Sequence, residues 1–161
     1  MVESTISPSE REALAVDGLP PRYIAAPDSA EEAARILAWA NETKLAVVPR
    51  GGGTRMELGN LPRAYDLALS TQRLNRVLEH EPADLTVTVE AGLPLADLQA
   101  GLRRKGQFLP LDPPAGSGST IGGVVATNAS GPSRLRHGSA RDLVIGARVA
   151  TTAGTLARSG G

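Results

Sequence analysis

The chain has 161 residues, with 17 Lys and Arg balanced by 17 Asp and Glu, so no strong electrostatic footprint for nucleic acid or anionic lipid is expected. Hydrophobic residues make up 41%, enough for one globular domain or a piece of one, but aromatics are only 2%, so Ala, Val, Leu and Ile must build the core. The absence of cysteine excludes disulfides, thiolate catalysis and Cys-ligated zinc or iron–sulfur clusters.

Met1-Val2-Glu3-Ser4 is polar and acidic with no apolar stretch behind it, unlike a signal peptide. No run is long enough to span a bilayer, and the cytoplasm is the expected compartment. Residues 1–19 are weakly patterned and read as either one short helix near Ser9–Val16 or an arm; Pro20 and Pro21 end any helix there. Ile24-Ala25 reads as a short strand. Ser29 with Glu32 three residues on is a capping-box pattern. Ala33, Ile36, Leu37 and Ala40 then share one face, which predicts a helix over 30–42. Leu45–Pro49, short and apolar, reads as a buried parallel strand and runs into Pro49-Arg50-Gly51-Gly52-Gly53-Thr54.

Asp66–Ser70 reads as a further strand, and Leu74–Glu79 as a turn leading into another. Leu85–Ala91 alternates, with Leu85, Val87 and Val89 on one face and Thr86, Thr88 and Glu90 on the other. Leu95, Leu98 and Leu102 predict a helix over 95–105, closed by Gly106. Its terminal Arg103-Arg104-Lys105 complements the helix dipole rather than forming a phosphate site. Phe108–Leu111 reads as a short strand leading to Asp112-Pro113-Pro114 and a second glycine segment, Gly116-Ser117-Gly118-Ser119-Thr120-Ile121-Gly122-Gly123. Ile121–Ala126 is either a tight helical turn or a strand. Leu143–Thr151 reads as a strand, with Ala153-Gly154 turning a hairpin back through Leu156. A hairpin that halts at Gly160-Gly161 reads as a truncation with an incomplete sheet edge, a surface for self-association.

Glycine runs have no Cβ atoms to hold a ligand away, so several backbone N–H groups can approach one anion. One such run alone is equally a flexible turn; two, each after a strand-like stretch, suggest a ligand with two phosphates. Neither is a P-loop, since no Gly-Lys-Ser/Thr follows, and Ile121 stands where a dinucleotide fingerprint needs its third glycine. Arg50 and Arg55 flank the first loop, as charge compensation for a diphosphate or as solvated arginines, the latter favoured for Arg55. Arg141-Asp142 reads as a local ion pair or turn bond. His80 and His137 stand far apart with no acidic residue in helical register, so no metal site is expected, and no Ser-His-Asp spacing is visible.

The ordered set Val47–Thr54, Leu85–Gly92, Leu111-Asp112-Pro113, Ser119–Asn128 and His137–Asp142 resembles the FAD-binding domain of the vanillyl-alcohol oxidase/PCMH-type flavoproteins, from about Tyr23 onward. The wording of Leu69–Leu85 and Ala129-Ser130-Gly131-Pro132 is similar to the FAD-binding E-type subunits of bacterial glycolate oxidases. The resemblance implies an α+β fold of two subdomains, a small parallel β-α-β subdomain and a partly truncated, mainly antiparallel one. The expected division is an arm over 1–19, then 20–80, then 81–161. It implies FAD held between them, with Gly51, Gly52, Gly53 and Thr54 giving amides to the pyrophosphate and Pro49 and Arg50 at the adenosine end. Pro113, Ser119, Thr120, Gly122 and Gly123 would approach from the second subdomain, and Asn128 and Ser130 would sit on the flavin side.

Some members of that family attach FAD through a histidine in the first loop or a cysteine elsewhere. Thr54 and Arg55 hold the loop here and cysteine is absent, so FAD is expected to be non-covalent. The implied function is the FAD-binding subunit or a fragment of a glycolate-type 2-hydroxy-acid oxidoreductase, catalytically incomplete alone, with no catalytic base identifiable. Its partners would be other glycolate oxidase-type subunits, which would also account for a place at the periphery of the inner membrane. The alternative is a truncated structural or assembly module that no longer holds FAD tightly. On the first reading, Gly52→Val and Gly122→Val are expected to abolish FAD binding and leave the chain folded.

Overall fold

The computed structural model describes residues 2–3, 7–114 and 118–160. In chain order the elements are β1 (Val2–Glu3), α1 (Pro8–Ala13), β2 (Tyr23–Ala25), α2 (Ala30–Glu42), β3 (Val47–Arg50), β4 (Leu67–Ser70), β5 (Val77–Glu81), β6 (Thr86–Val89), α3 (Leu95–Arg103), α4 (Ile121–Thr127), α5 (Arg134–His137), α6 (Ala140–Leu143), β7 (Gly146–Ala150) and β8 (Leu156–Gly160). They divide into two compact units, each discontinuous in sequence: Met1–Arg50 with Arg55–Arg73 and Gly146–Gly161, and Gly51–Thr54 with Leu74–Ile145.

The first unit is built on a four-stranded sheet of order β1-β2-β4-β3, with β2 and β3 parallel to β4 and β1 antiparallel to β2. The β-α-β succession expected from the sequence is present, with β4 placed between its two strands. Helix α2 starts as its caps dictate: the Ser29 hydroxyl accepts the Glu32 N–H at 3.1 Å, and the Glu32 carboxylate accepts the N–H of Asp28 at 2.7 Å. Past its end Lys44 sits at φ +57, and the Leu45 N–H returns to the Ala40 carbonyl at 2.8 Å. That bond keeps Leu45 out of the ladder, so β3 starts at Val47, two residues later than the apolar run suggested.

In β4, Leu67, Ala68 and Leu69 are all buried, because the strand is covered on both faces. Leu67 and Leu69 pack with Ala25, Ile36 and Ala40 on the α2 side, and Ala68 packs with Val16 and Tyr65 on the other. Strands β7 and β8 form the expected antiparallel hairpin, and it rests on α2. A Cβ on Gly154 would stand 2.9 Å from that of Ala38, and Arg148 pairs with Glu31 at 3.0 Å. These contacts place the hairpin in the first unit, whereas the sequence reading grouped it with residues after 80.

The second unit holds the antiparallel pair β5–β6 and the helices α3 to α6. Leu85, expected to share a buried face with Val87 and Val89, instead sits in the turn between the strands at φ +56, 81% exposed. Val87 and Val89 do pack inward, against Leu93, Leu98 and Leu102. Helix α3 ends at Arg103 with Arg104 as its cap, two residues before the expected end; Gly106, at φ +68, then donates to Arg103 and the Gln107 N–H reaches the Leu102 carbonyl at 3.1 Å. The strand expected over Phe108–Leu111 does not form. The Gln99 side-chain amide pairs with the Leu109 backbone in both directions, giving that segment a partner other than a strand. Ile121–Thr127 is a helix, and α5 and α6 are short helices that the periodicity did not signal.

Glu90 ties down the start of β5. Its carboxylate accepts the Arg76 backbone N–H, Nε–H and Nη2–H at 2.8, 3.1 and 2.7 Å. These bonds, the Arg76 side-chain ones first, hold the Glu90 carboxyl below its ordinary value. A folded-state value below the unfolded one means that the stabilisation is complete above the ordinary carboxylate range and is lost as pH falls through the folded value. Thermal melts across roughly pH 3 to 7 should therefore show a melting temperature that drops on acidification, with Glu90→Gln lower at neutral pH and flatter in profile. A variant profile parallel to the wild type would exclude Glu90 as a contributor.

Candidate functional site

Strand β3 ends at Arg50, whose carbonyl accepts the Thr71 N–H at 2.9 Å. The chain then enters Gly51–Thr54, which packs with the second unit. The two glycine segments interlock there. A Cβ on Gly51 would lie 2.1 Å from Thr120 Oγ1, and one on Gly52 would lie 1.7 Å from the Gly118 carbonyl oxygen. A Cβ on Gly118 would in turn stand 3.0 Å from Thr54 Cγ2. Gly53 is at φ +70, a conformation that glycine adopts without strain. Among the described residues, the N–H groups of Gly52, Gly53 and Thr54 meet no acceptor. Three successive donors left open on a loop without side-chain cover are what an oxyanion requires.

The second segment is laced to the turn before α3. Ser119 and Thr120 are buried. The Ser119 carbonyl accepts the Leu95 N–H, and the Ile121 and Gly122 N–H groups donate to Leu93 and Ala91 at 2.9 and 2.7 Å. Thr120 caps α4 by accepting the Gly123 N–H at 3.4 Å. The sequence reading gave Gly122 to the pyrophosphate, but a Cβ there would fall 2.7 Å from Ala91 Cβ and 2.8 Å from Ala91 O. Gly122 is thus a packing glycine whose N–H is already engaged. Since protein atoms fill the Cβ positions of Gly52 and Gly122, valine at either one disturbs the fold, contrary to the expectation of a folded, FAD-free variant. Gly116 and Ser117 lie outside the described residues.

Other residues singled out by sequence take varied places. Pro113 is buried, Pro49 is exposed on β3, and Arg50 is half-buried at its end. Asn128 ends α4 in the left-handed conformation, φ +47, and its Oδ1 accepts the Arg141 N–H at 3.1 Å. Asp142 makes the anticipated turn bond, accepting the Ser139 N–H and hydroxyl, both at 2.8 Å. Arg55, taken as solvated, has a buried Nε without a partner among the described residues. So has the Tyr65 hydroxyl; burial raises its pKa, against the opposing charge of Arg50. Sequence reasoning passed over Asp112 except as part of a motif. It is the acceptor for Gly131 and Ser133, 19 and 21 residues away, and no local pattern announces such a pairing.

Residues 21–160 match the family described as FAD binding domain. The chain belongs to that family. The N–H groups of Gly52, Gly53 and Thr54, without an acceptor among the described residues, are donors of the kind a diphosphate accepts from. The chain is 40% identical to D-2-hydroxyglutarate dehydrogenase of Xanthomonas citri pv. viticola over 84% of its own length and 29% of that protein. It is 37% identical to glycolate oxidase subunit GlcD of Bacillus subtilis, over 88% of this chain and 30% of the other. It therefore spans less than a third of the length of these curated relatives. Among solved structures, it superposes on alkyldihydroxyacetonephosphate synthase with a TM-score of 0.73 and 27% identity, over 83% of this chain and 25% of that one. A variant of Physcomitrella patens BBE-like 1 shares the fold at a TM-score of 0.79 and 20% identity, over 94% and 34%. No helix among the described residues is long and apolar enough to cross a membrane.

Proposed function

We propose that this chain is the FAD-holding part of a flavin-dependent 2-hydroxy-acid oxidoreductase of the glycolate and D-2-hydroxyglutarate type. The observation that carries the reading is the Gly51–Thr54 loop, packed on Gly118–Thr120, with the N–H groups of Gly52, Gly53 and Thr54 meeting no acceptor among the described residues. Those three amides would hold the pyrophosphate. Thr120 would hold the loop through its contact with Gly51, and Pro113, Ser119 and Gly123 would approach the cofactor from the same unit. Pro49 and Arg50 would serve the adenosine end, and Asn128 and Ser130 the flavin side. When bound, FAD supplies the two-electron chemistry; the chain's own residues bind and orient it. The 2-hydroxy acid comes from the names of the relatives, and residues outside these 161 would orient it.

Within these 161 residues the FAD would be held non-covalently, since they contain no cysteine and the first loop has no histidine. Self-association, or pairing with a further subunit of the same enzyme, would use an incomplete sheet edge. Titration of the purified chain with FAD, followed by absorbance and gel filtration, tests all three statements. Stoichiometric flavin that co-elutes with the protein and is released by acid denaturation is the expected result. A folded chain that takes no flavin would replace this reading with that of an assembly module, and elution as a monomer would remove the sheet-edge contact.

A further inference from the structure

Two clasps close on the loop between α4 and α5. At its near end, Asn128 turns the chain in the left-handed conformation, and its Oδ1 holds the Arg141 N–H at the start of α6. The next residue, Ala129, returns its N–H to Val124 at 2.9 Å and is buried against Leu111. At the far end, the carboxylate of Asp112, the neighbour of Leu111, accepts three hydrogen bonds. These come from the Gly131 N–H at 3.1 Å, the Ser133 N–H at 3.1 Å and the Ser133 hydroxyl at 2.9 Å. The fit leaves no space: a Cβ on Gly131 would lie 2.1 Å from the Asp112 carbonyl oxygen. Between the clasps stands Ser130, half-buried, and among the described residues neither its N–H nor its hydroxyl has a partner.

A loop fixed so tightly on both sides of one residue with unused polar groups presents that residue. We propose that Asp112 is a positioning residue, which clamps Gly131 and Ser133 so that the Ser130 N–H and hydroxyl are held ready for a hydrogen-bonding group of the flavin. This rests on the FAD-binding reading. Asp112 touches no ligand itself; it acts through the loop. A carboxylate is required because it is the side chain of this length that accepts at both oxygens. An amide turns a donor toward one of the two loop N–H groups and loses that bond.

Hydrogen exchange and flavin titration of the 161-residue chain, as wild type, Asp112→Asn and Ser130→Ala, decide the matter. In Asp112→Asn, exchange at Gly131 and Ser133 should accelerate at least tenfold, with the amides of α3 unchanged as a control on folding. FAD affinity should fall about tenfold, and the flavin absorbance bands of the bound state should shift. Ser130→Ala should weaken FAD by a similar factor without altering exchange at Gly131 or Ser133. Unchanged exchange in Asp112→Asn would remove the clasp. Faster exchange with unchanged affinity and spectrum would leave Asp112 a structural residue only and overturn the proposal. A wild-type chain that takes no FAD would overturn the reading beneath it, while the exchange data would still decide the clasp.

Discussion

Gly52→Val should both unfold the interlock of the two glycine segments and abolish FAD retention. The atom in the way of its Cβ, at 1.7 Å, is the Gly118 carbonyl oxygen, part of the backbone rather than the swinging end of a side chain. The segment cannot give way without releasing Thr120 and the turn to which it is laced. The expected loss is roughly 3 kcal/mol or more, a fall in melting temperature of about 6–12 °C for a chain of this size. Gly101→Ala is the control. Nothing lies within 4 Å of its Cβ position on the exposed side of α3, so alanine there should stabilise by about 0.5–1 kcal/mol and leave FAD titration as in the wild type. Wild-type melting and affinity in Gly52→Val would refute the interlock.

The second large effect belongs to the sheet of the first unit. Leu67 is fully buried on β4, against Ala25, Ile36, Ala40 and Leu69. Two of these neighbours, Ala25 and Ala40, are alanines, which cannot swing into a space as a long side chain can. Leu67→Ala should therefore leave most of its cavity open and cost about 2–5 kcal/mol, a fall of about 10 °C in melting temperature. Leu67→Met, which conserves volume, should cost less than about 1.5 kcal/mol. Equal melting temperatures for the two variants would mean that the site collapses around the alanine, and that the core is less tightly packed than its burial shows.

What the sequence made legible follows from which interactions are local. The α2 helix was readable because its cap, Ser29 with Glu32, and its apolar face repeat within one turn. The β7–β8 hairpin announced itself in Ala153-Gly154 for the same reason. The strand expected at Phe108–Leu111 failed because Gln99, ten residues earlier, takes both backbone groups of Leu109. Leu85 failed because an alternation of two says nothing of where a turn with a left-handed residue begins. At the site, sequence could mark glycines but not sort them. Gly52 and Gly122 are both closed in by protein, against Gly118 and Ala91, and what separates them is the N–H: Gly122 spends its own on Ala91, whereas that of Gly52 meets no acceptor among the described residues. Asp112 was invisible as a clasp, since its partners follow it by 19 and 21 residues.

The hairpin on α2 also sets an order of events during synthesis. Arg148 and Glu31 are 117 residues apart, and everything in the second unit from Leu74 to Ile145 is translated between them. A nascent chain therefore has all of Gly51–Thr54 and Leu74–Ile145 available for folding before the first unit can be finished. Until then, the side of α2 near Ala38 waits bare at the ribosome. Helix α2, translated before the second unit, is covered by β7 and β8 only after it, and the entropy of that long closure is met only when the hairpin arrives.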